Sequence, residues 1–309
     1  MESEFIGWLR QRVAASPFAP LGLSDDAALL CARDGSQCVL TTDMLMEGVD
    51  FRLDQCGARR AGRKALAVSL SDLAAMASRP LAALISVALP RRGGRKIAEE
   101  VFEGLWPLAE EFEVVIAGGD TNSWNGPLVV CVTAIGDVNP KGPLLRSGAR
   151  PGDAIVVMGE FGGSILGKHL DFQPRVRESL LLRERFQLHA GIDVSDGLSL
   201  DLARMAGESG CGAVVDVGAV PVAPAARVLA ACGQHGLSAR DHALGDGEDF
   251  ELLLAVPADE AERMLRDQPL SVPLTRIGCF VEQAGLWARD ADGHLVPLEP
   301  RGYEHRLEP

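Results

Sequence analysis

The sequence has no CxxC pair, no apolar run of membrane length and no surplus of basic residues, and each absence removes a class of function. Its seven cysteines, Cys31, Cys38, Cys56, Cys131, Cys211, Cys232 and Cys279, are odd in number and scattered. That spacing supports neither a zinc ribbon nor a thioredoxin-type redox pair, and unpaired thiols suit a reducing cytoplasm. The chain opens Met1-Glu2-Ser3-Glu4-Phe5, acidic where a signal peptide is basic and then apolar. No stretch reaches the roughly 18 uninterrupted apolar residues of a membrane helix. The short apolar runs near 81–89 and 154–158 read instead as buried strands. Lys and Arg number 30 against 43 Asp and Glu, a formal net charge of −13. So acidic a chain repels phosphate backbones, which argues against a nucleic-acid partner. Acidity alone serves solubility, but it is also expected where carboxylates are gathered to bind cations.

What is present is ample core material. Of 309 residues, 47% are hydrophobic and 24% charged, enough for one large domain or two ordinary ones, two being the better reading. Periodicity predicts helices over 4–15, 60–76, 96–111 and 198–208, with a further helix start in 162–170. Strands are predicted over 27–30, 37–42, 81–89, 114–117 and 128–135, then over 154–158, 191–194, 214–217, 250–256 and 275–281. The best linker is Asn139-Pro140-Lys141-Gly142-Pro143. This divides the chain into domains 1–138 and 139–309. Strands alternating with helices in both parts give an α/β (α+β) class.

The informative pattern is where the aspartates fall. Asp25-Asp26 precedes the first strand, Asp43 ends the second, and Asp72 sits in Ser69-Leu70-Ser71-Asp72. Asp120 follows a strand and two glycines, and Asp193 and Asp196 bracket Val194-Ser195. Singly, Ser71-Asp72 and Ser195-Asp196 read as helix caps, and Gly118-Gly119-Asp120 as a turn. Jointly they suit Mg²⁺, which takes one or two carboxylates and completes its shell with water and substrate phosphates. Phosphoryl transfer from ATP rests on positioning and charge neutralisation, and acidic motifs at loop edges supply both. A competing pattern, Gly162-Gly163-Ser164-Ile165-Leu166-Gly167-Lys168-His169, follows a strand and fits G-x-x-x-x-G-K. A phosphate-binding loop of that kind requires Ser or Thr next, and His169 cannot serve a hard ion as well.

Taken in order, these stretches resemble the thiamine-monophosphate kinases. That family shares a superfamily with aminoimidazole ribonucleotide synthetase, selenophosphate synthetase and a hydrogenase maturation protein. The resemblance runs nearly end to end. It is carried by Ser24-Asp25-Asp26-Ala27, Thr41-Thr42-Asp43-Met44, the block from Lys64-Ala65-Leu66 through Ser71-Asp72-Leu73, and Ala117-Gly118-Gly119-Asp120. Further along it is carried by Arg146-Ser147-Gly148, Ile192-Asp193-Val194-Ser195-Asp196-Gly197, Gly247-Glu248-Asp249-Phe250 and Gly302-Tyr303.

The resemblance implies a two-domain fold of the aminoimidazole ribonucleotide synthetase kind. Its N-terminal mixed sheet with helices dimerises, and its C-terminal α/β sandwich completes the nucleotide and substrate site. It implies direct in-line transfer from ATP to thiamine monophosphate by a cytoplasmic homodimer, with several Mg²⁺ ions and no membrane partner. Carried over by position, Asp26, Thr41, Thr42, Asp43, Asp72, Asp120, Asp193 and Asp196 are expected metal ligands, with Asp43, Asp72 and Asp120 at the catalytic centre. Gly119, Asp120, Arg146 and Ser195 are expected nucleotide contacts, and Asp50, Glu248 and Tyr303 face the thiamine end. A planar cationic thiazolium suits both a carboxylate and an aromatic face; read alone, Tyr303 is a core tyrosine. No general base is needed, because a phosphate monoester is already ionised at neutral pH. Two positions depart from the family pattern. Ser24 replaces a glycine, and Asp50 replaces a histidine that contacts substrate, so the phosphotransfer apparatus is retained while the acceptor is less fixed. The alternatives are another ATP-dependent enzyme of the superfamily with a different small substrate, or a non-catalytic nucleotide- or metal-binding protein.

Overall fold

Two mixed sheets share one long buried helix between them. A computed structural model describes every residue except 1, 14, 234–235, 290–292 and 306–309. The first part comprises α1 (Glu2–Arg10), β1 (Ala28–Cys31), β2 (Gln37–Met46), α2 (Leu53–Ala75), β3 (Arg79–Pro90), α3 (Gly94–Glu111), β4 (Val115–Trp124) and β5 (Val129–Asp137). Its strands lie in the order β1-β2-β5-β3-β4, antiparallel except for the parallel pair β3 and β4. The second part comprises β6 (Ala154–Met158), α4 (Lys168–Asp171), α5 (Val176–Arg185), β7 (Ala190–Asp193), α6 (Leu198–Glu208), β8 (Gly212–Val215) and α7 (Pro224–Ala231). It continues through α8 (Ala239–Gly245), β9 (Leu252–Val256), α9 (Ala258–Asp267), β10 (Leu274–Val281), β11 (Gly285–Arg289) and β12 (Leu295–Pro297). These strands lie in the order β12-β11-β8-β10-β6-β9-β7. β6 and β9, Ala-Ile-Val-Val-Met and Leu-Leu-Leu-Ala-Val, are buried at every position, as strands covered on both faces must be.

Helix α2 explains how the halves join. From Lys64 to Ala75 all its residues but Asp72 are buried, and between Ala58 and Lys64 only the Arg59-Arg60-Arg63 side meets solvent. One flank packs on β2 and β5, another on α4, α5 and β7. One hydrophobic core runs from Val39 and Val132 through Leu66 and Leu73 to Val156 and Phe186, and a second, around Ile155, Leu202 and Phe280, lies within the second part alone. The predicted linker is pinned to this helix, since Leu144 is buried and its N–H donates 3.0 Å to the Met76 carbonyl. The helices α2 and α3 meet closely enough that a Cβ on Gly62 would lie 2.1 Å from the Val101 carbonyl oxygen, and one on Gly104 1.8 Å from that of Arg59.

Several element edges differ from the sequence reading for physical reasons. β2 continues to Met46, so Asp43 lies inside the strand rather than at its end. Its inward positions include Thr41 and Asp43, which hide the apolar alternation. Gly118-Gly119-Asp120 belongs to β4 and is no turn; a Cβ on Gly119 would stand 1.8 Å from the Ile85 carbonyl, so glycine here permits close approach of β3. The Arg60 side of α2 extends back to Leu53 across a break at Gly57, whose φ is 72°. β9 starts only at Leu252, because Phe250 has a φ of 50°. The helix start at 162–170 resolves into a turn at Ser164–Leu166 and the short α4.

Candidate active site

A cleft of about 740 Å³ opens where β2 and α2 face the segments around 195–197, 245–250 and 302–305. Asp43, Asp50, Asp72, Asp196, Asp246 and Glu248 line it, six carboxylates against a single Lys or Arg, Lys64. Ser195 and Tyr303 also line it. Seven of the expected site residues, Asp43, Asp50, Asp72, Ser195, Asp196, Glu248 and Tyr303, thus share one cavity although 260 positions separate the first from the last.

The carboxylates are held by short hydroxyl contacts. Asp43 Oδ2 accepts from Ser69 Oγ at 2.6 Å, and Asp72 accepts from Thr41 Oγ1. Asp193 Oδ2, just beneath the cleft, accepts from Ser71 Oγ at 2.5 Å. Ser69, Ser71 and Asp72 therefore act from the last turns of α2, and Asp72 is no N-cap. Asp72 is held well above the usual carboxylate range by burial first, then by the charges of Asp43, Asp193 and Asp26. Asp193 is raised by burial and by Asp26, and Asp43 by burial and by Asp50. Four carboxylates from β2, α2, β7 and the segment before β1 are therefore electrostatically in contact.

Two arginines stand at the far end. Arg146 pairs with Asp26 through its guanidinium, while its backbone N–H donates 3.1 Å to each oxygen of Asp25. Burial, reinforced by the neighbouring Asp26, pushes Asp25 up to about 7. Asp26 Oδ2 is buried without a hydrogen-bond partner. Arg204 joins Asp196 to the buried Asp201, the latter at 2.8 Å. Asp201 accepts from the N–H groups of Asp196 and Gly197 at 3.0 and 3.1 Å, which ties down the turn before α6, and neither Ser195 nor Asp196 caps that helix.

The residues expected at the substrate end are fixed from both halves. Glu248 has a φ of 63° and Phe250 of 50°, a left-handed backbone that costs non-glycine residues about 1–3 kcal/mol each. The Glu248 N–H donates 2.6 Å to the Ser195 carbonyl, and the Tyr303 N–H 2.9 Å to that of Asp196. Tyr303 is 51% exposed, which excludes the core reading. Asp50 turns its carboxylate onto the Met46 N–H at 2.7 Å, closing the turn after β2. Lys64, fully buried on α2, is absent from the sequence reading of the site, as are Asp201 and Arg204. Its Nζ donates 2.7 Å to the Asp50 carbonyl and 2.5 Å to Glu248 Oε1. The only signal for it was its place at the head of the long Lys64 block.

Three expected residues lie elsewhere in a single chain. Across the first sheet, Met44, Cys131, Ser86 and Asp120 stand opposite one another, and so share a face. Asp43 belongs to the next row, with Val132, Ile85 and Gly119, and its side chain points to α2. Thr42, bonded to Thr133 Oγ1 at 3.0 Å, and exposed Asp120 therefore occupy the open face, and Gly119 the exposed edge strand. The glycine-lysine pattern at 162–168 binds no phosphate in this geometry. The N–H groups of Gly162 and Gly163 donate 2.8 Å to Asp249 and Asp246, and Lys168 pairs with Glu251 at 2.9 Å.

Fold and cleft together define a class: residues 24–138 and 150–286 match the N-terminal and C-terminal domain models of AIR synthase related protein, and the chain is a member of that family. Within it, the chain belongs to the thiamine-monophosphate kinases. It is 40% identical to the thiamine-monophosphate kinase of Rhodopirellula baltica over 99% of this chain and 97% of that one. It is 32% identical to that of Bacillus subtilis, over 98% and 99%. Among solved structures, AaThiL complexed with AMPPCP and TMP superposes with a TM-score of 0.80 at 25% identity, over 98% of this chain and 95% of that chain. The thiamine-monophosphate kinase of Stenotrophomonas maltophilia superposes with 0.74 at 34% identity, over 95% of each. HypE of E. coli, 20% identical with a TM-score of 0.71 over 97% and 98%, shares the fold.

Proposed function

We propose that this chain transfers the terminal phosphoryl group of ATP to thiamine monophosphate, forming thiamine diphosphate and ADP. The observation that carries the reading is the six-carboxylate cleft, seated between the two domains of a chain 40% identical over its length to a thiamine-monophosphate kinase. Such a cleft repels a triphosphate unless cations enter with it, so the donor set fits Mg²⁺. Buried Asp26 Oδ2 is without a hydrogen-bond partner, and Asp72 carries the unrelieved repulsion of its neighbours. Among the described residues no three His, Cys, Asp or Glu side chains are close enough to hold one ion. Mg²⁺ ordinarily takes only one or two carboxylates and draws its other oxygens from water and phosphates.

The residues that would hold it are Asp26, Thr41, Asp43, Asp72, Asp193 and Asp196, with Thr42 and Asp120 from the open face. Bound there, Mg²⁺ neutralises charge on the transferring phosphoryl group. The chain's own groups orient the reactants. Ser195 and Arg146 face the nucleotide, with Gly119 supplying a close backbone approach. Glu248 and Tyr303 flank the thiazolium, as a carboxylate and an exposed aromatic ring suit a planar cation. Asp50 acts there through the turn it closes rather than as a free carboxylate. The acceptor phosphate attacks in line without a protein base.

The open face of the first sheet exposes Met44, Met46, Leu84 and Val115, an apolar area that suits a second copy. We assign the homodimer contact to it, which also brings Thr42 and Asp120 out of solvent. The domain boundary falls at 138/139 in this reading. Seven free thiols fit a reducing cytoplasm, and no described helix is long and apolar enough to cross a membrane. The test is to incubate the purified protein with ATP, Mg²⁺ and thiamine monophosphate and separate the thiamine phosphates. Thiamine diphosphate is expected; turnover only with another acceptor would contradict the assignment.

A further inference from the structure

Lys64 is the one Lys or Arg among the described residues that lines the cleft, and it has no place in the proposed phosphoryl-transfer machinery. Its side chain is fully buried, a position a lysine occupies only when its ammonium is paired. It rises from α2 in the first domain and reaches Glu248 in the second at 2.5 Å and the Asp50 carbonyl at 2.7 Å. Glu248 cannot hold its orientation unaided. It sits in a left-handed backbone conformation, a third of its side chain is exposed, and it faces a cleft shared with five other carboxylates. Without a cation behind it, repulsion would drive it outward. The same ammonium fixes the carbonyl of Asp50, the position where the family pattern has histidine.

We propose that Lys64 is a positioning residue that sets the acceptor end of the site. It holds Glu248 and the Asp50 turn in one arrangement across the domain junction. The inference rests on the kinase reading for its substrate. It predicts that Lys64 governs recognition of the thiamine end and leaves nucleotide binding unaffected, since its two partners lie on the acceptor side.

The test is a double-mutant cycle on the full-length protein with Lys64→Met and Glu248→Gln. Lys64→Met is expected to raise KM for thiamine monophosphate about tenfold or more, with KM for ATP within about twofold of wild type. Because Lys64 acts through Glu248, the double variant is expected to be little worse than either single variant. Strictly additive effects, an equal rise in both KM values, or no change would overturn the proposal. If Lys64→Met does not fold, Lys64→Arg takes its place, and an unaltered KM for thiamine monophosphate, or an equal rise in both KM values, overturns it. A wild-type protein inactive on thiamine monophosphate would contradict the kinase reading alone. The positioning role is then read from amide exchange in residues 246–250, expected to quicken about tenfold in Lys64→Met; unchanged exchange would refute it.

Discussion

Asp72 shows at the scale of one residue how binding chemistry costs stability. Burial and three neighbouring carboxylates oppose its ionisation, and only the Thr41 hydroxyl favours it. Asp72→Asn keeps an acceptor for Thr41 and removes the charge. The ligand-free variant is expected to melt about 2–4 °C higher than wild type at pH 7.5 by calorimetry. Its thiamine diphosphate formation is expected to fall at least about a hundredfold, because a contact to transition-state charge is lost. Near-normal turnover would reduce Asp72 to a structural role. Asp25 gives the pH dependence. Its folded pKa of about 7 lies above the unfolded value, so the folded state holds a proton that the unfolded chain releases. Its contribution is complete in acid and is lost as pH rises toward and through 7. Asp25→Asn is expected to flatten that part of the stability curve between about pH 4 and pH 7, measured by urea titration; an unchanged slope would contradict it. Most of these residues were legible in the sequence because their neighbours are distinctive. Lys64 was not, because a charged residue in an Ala- and Leu-rich helix reads as solvent-facing until the second domain is seen to cover it; Asp201 and Arg204 were not, because their contacts to the Asp196-Gly197 turn depend on how that turn folds back on α6.

At the scale of elements, α2 carries the site. It brings Lys64, Ser69, Ser71 and Asp72 to the cleft and Gly62 to its crossing with α3. At that crossing the backbones touch, and no side chain can yield. Gly104→Ala is expected to destabilise the protein by about 2–3 kcal/mol or more in chemical denaturation, as an overpacked core does. A loss below about 0.5 kcal/mol would mean that the helices separate freely. The strongly periodic helix 198–208 and the all-apolar strand 154–158 were read to the residue, since one pattern dominated each. β2 and β4 were read too short. β4 continues through Gly118-Gly119-Asp120, whose glycines read as a turn, and β2 through Asp43, whose inward carboxylate interrupts the apolar alternation. The three-residue β12 is too short for a period to show, whereas α9, ten residues with one buried side at Ala261 and Met264, is legible in the sequence and absent from its reading.

For the whole molecule, two domains appear in the two sheets and in a core that belongs to the second part alone, while a further core is shared between them through α2. The linker was recognisable by its prolines; its docking against Met76 was not, because that contact is made by backbone. What a single chain leaves apart, Asp120 and Thr42 on one face and Asp43 and Asp72 on the other, follows from strand register, which no aspartate spacing encodes. The proposed homodimer gives twice the 32.8 kDa chain mass in light scattering, and Leu84→Glu on the open face is expected to yield the monomer. A monomeric wild type would leave Asp120 outside the site.

The central claim is that carboxylates from both halves bind the nucleotide through Mg²⁺. Its most direct test is calorimetric titration of a non-hydrolysable ATP analogue into wild-type protein and Asp72→Asn, with and without Mg²⁺. Tight binding is expected only for wild type with Mg²⁺, weakened about a hundredfold by either chelation or the substitution. Equal affinity in all four titrations would contradict the account.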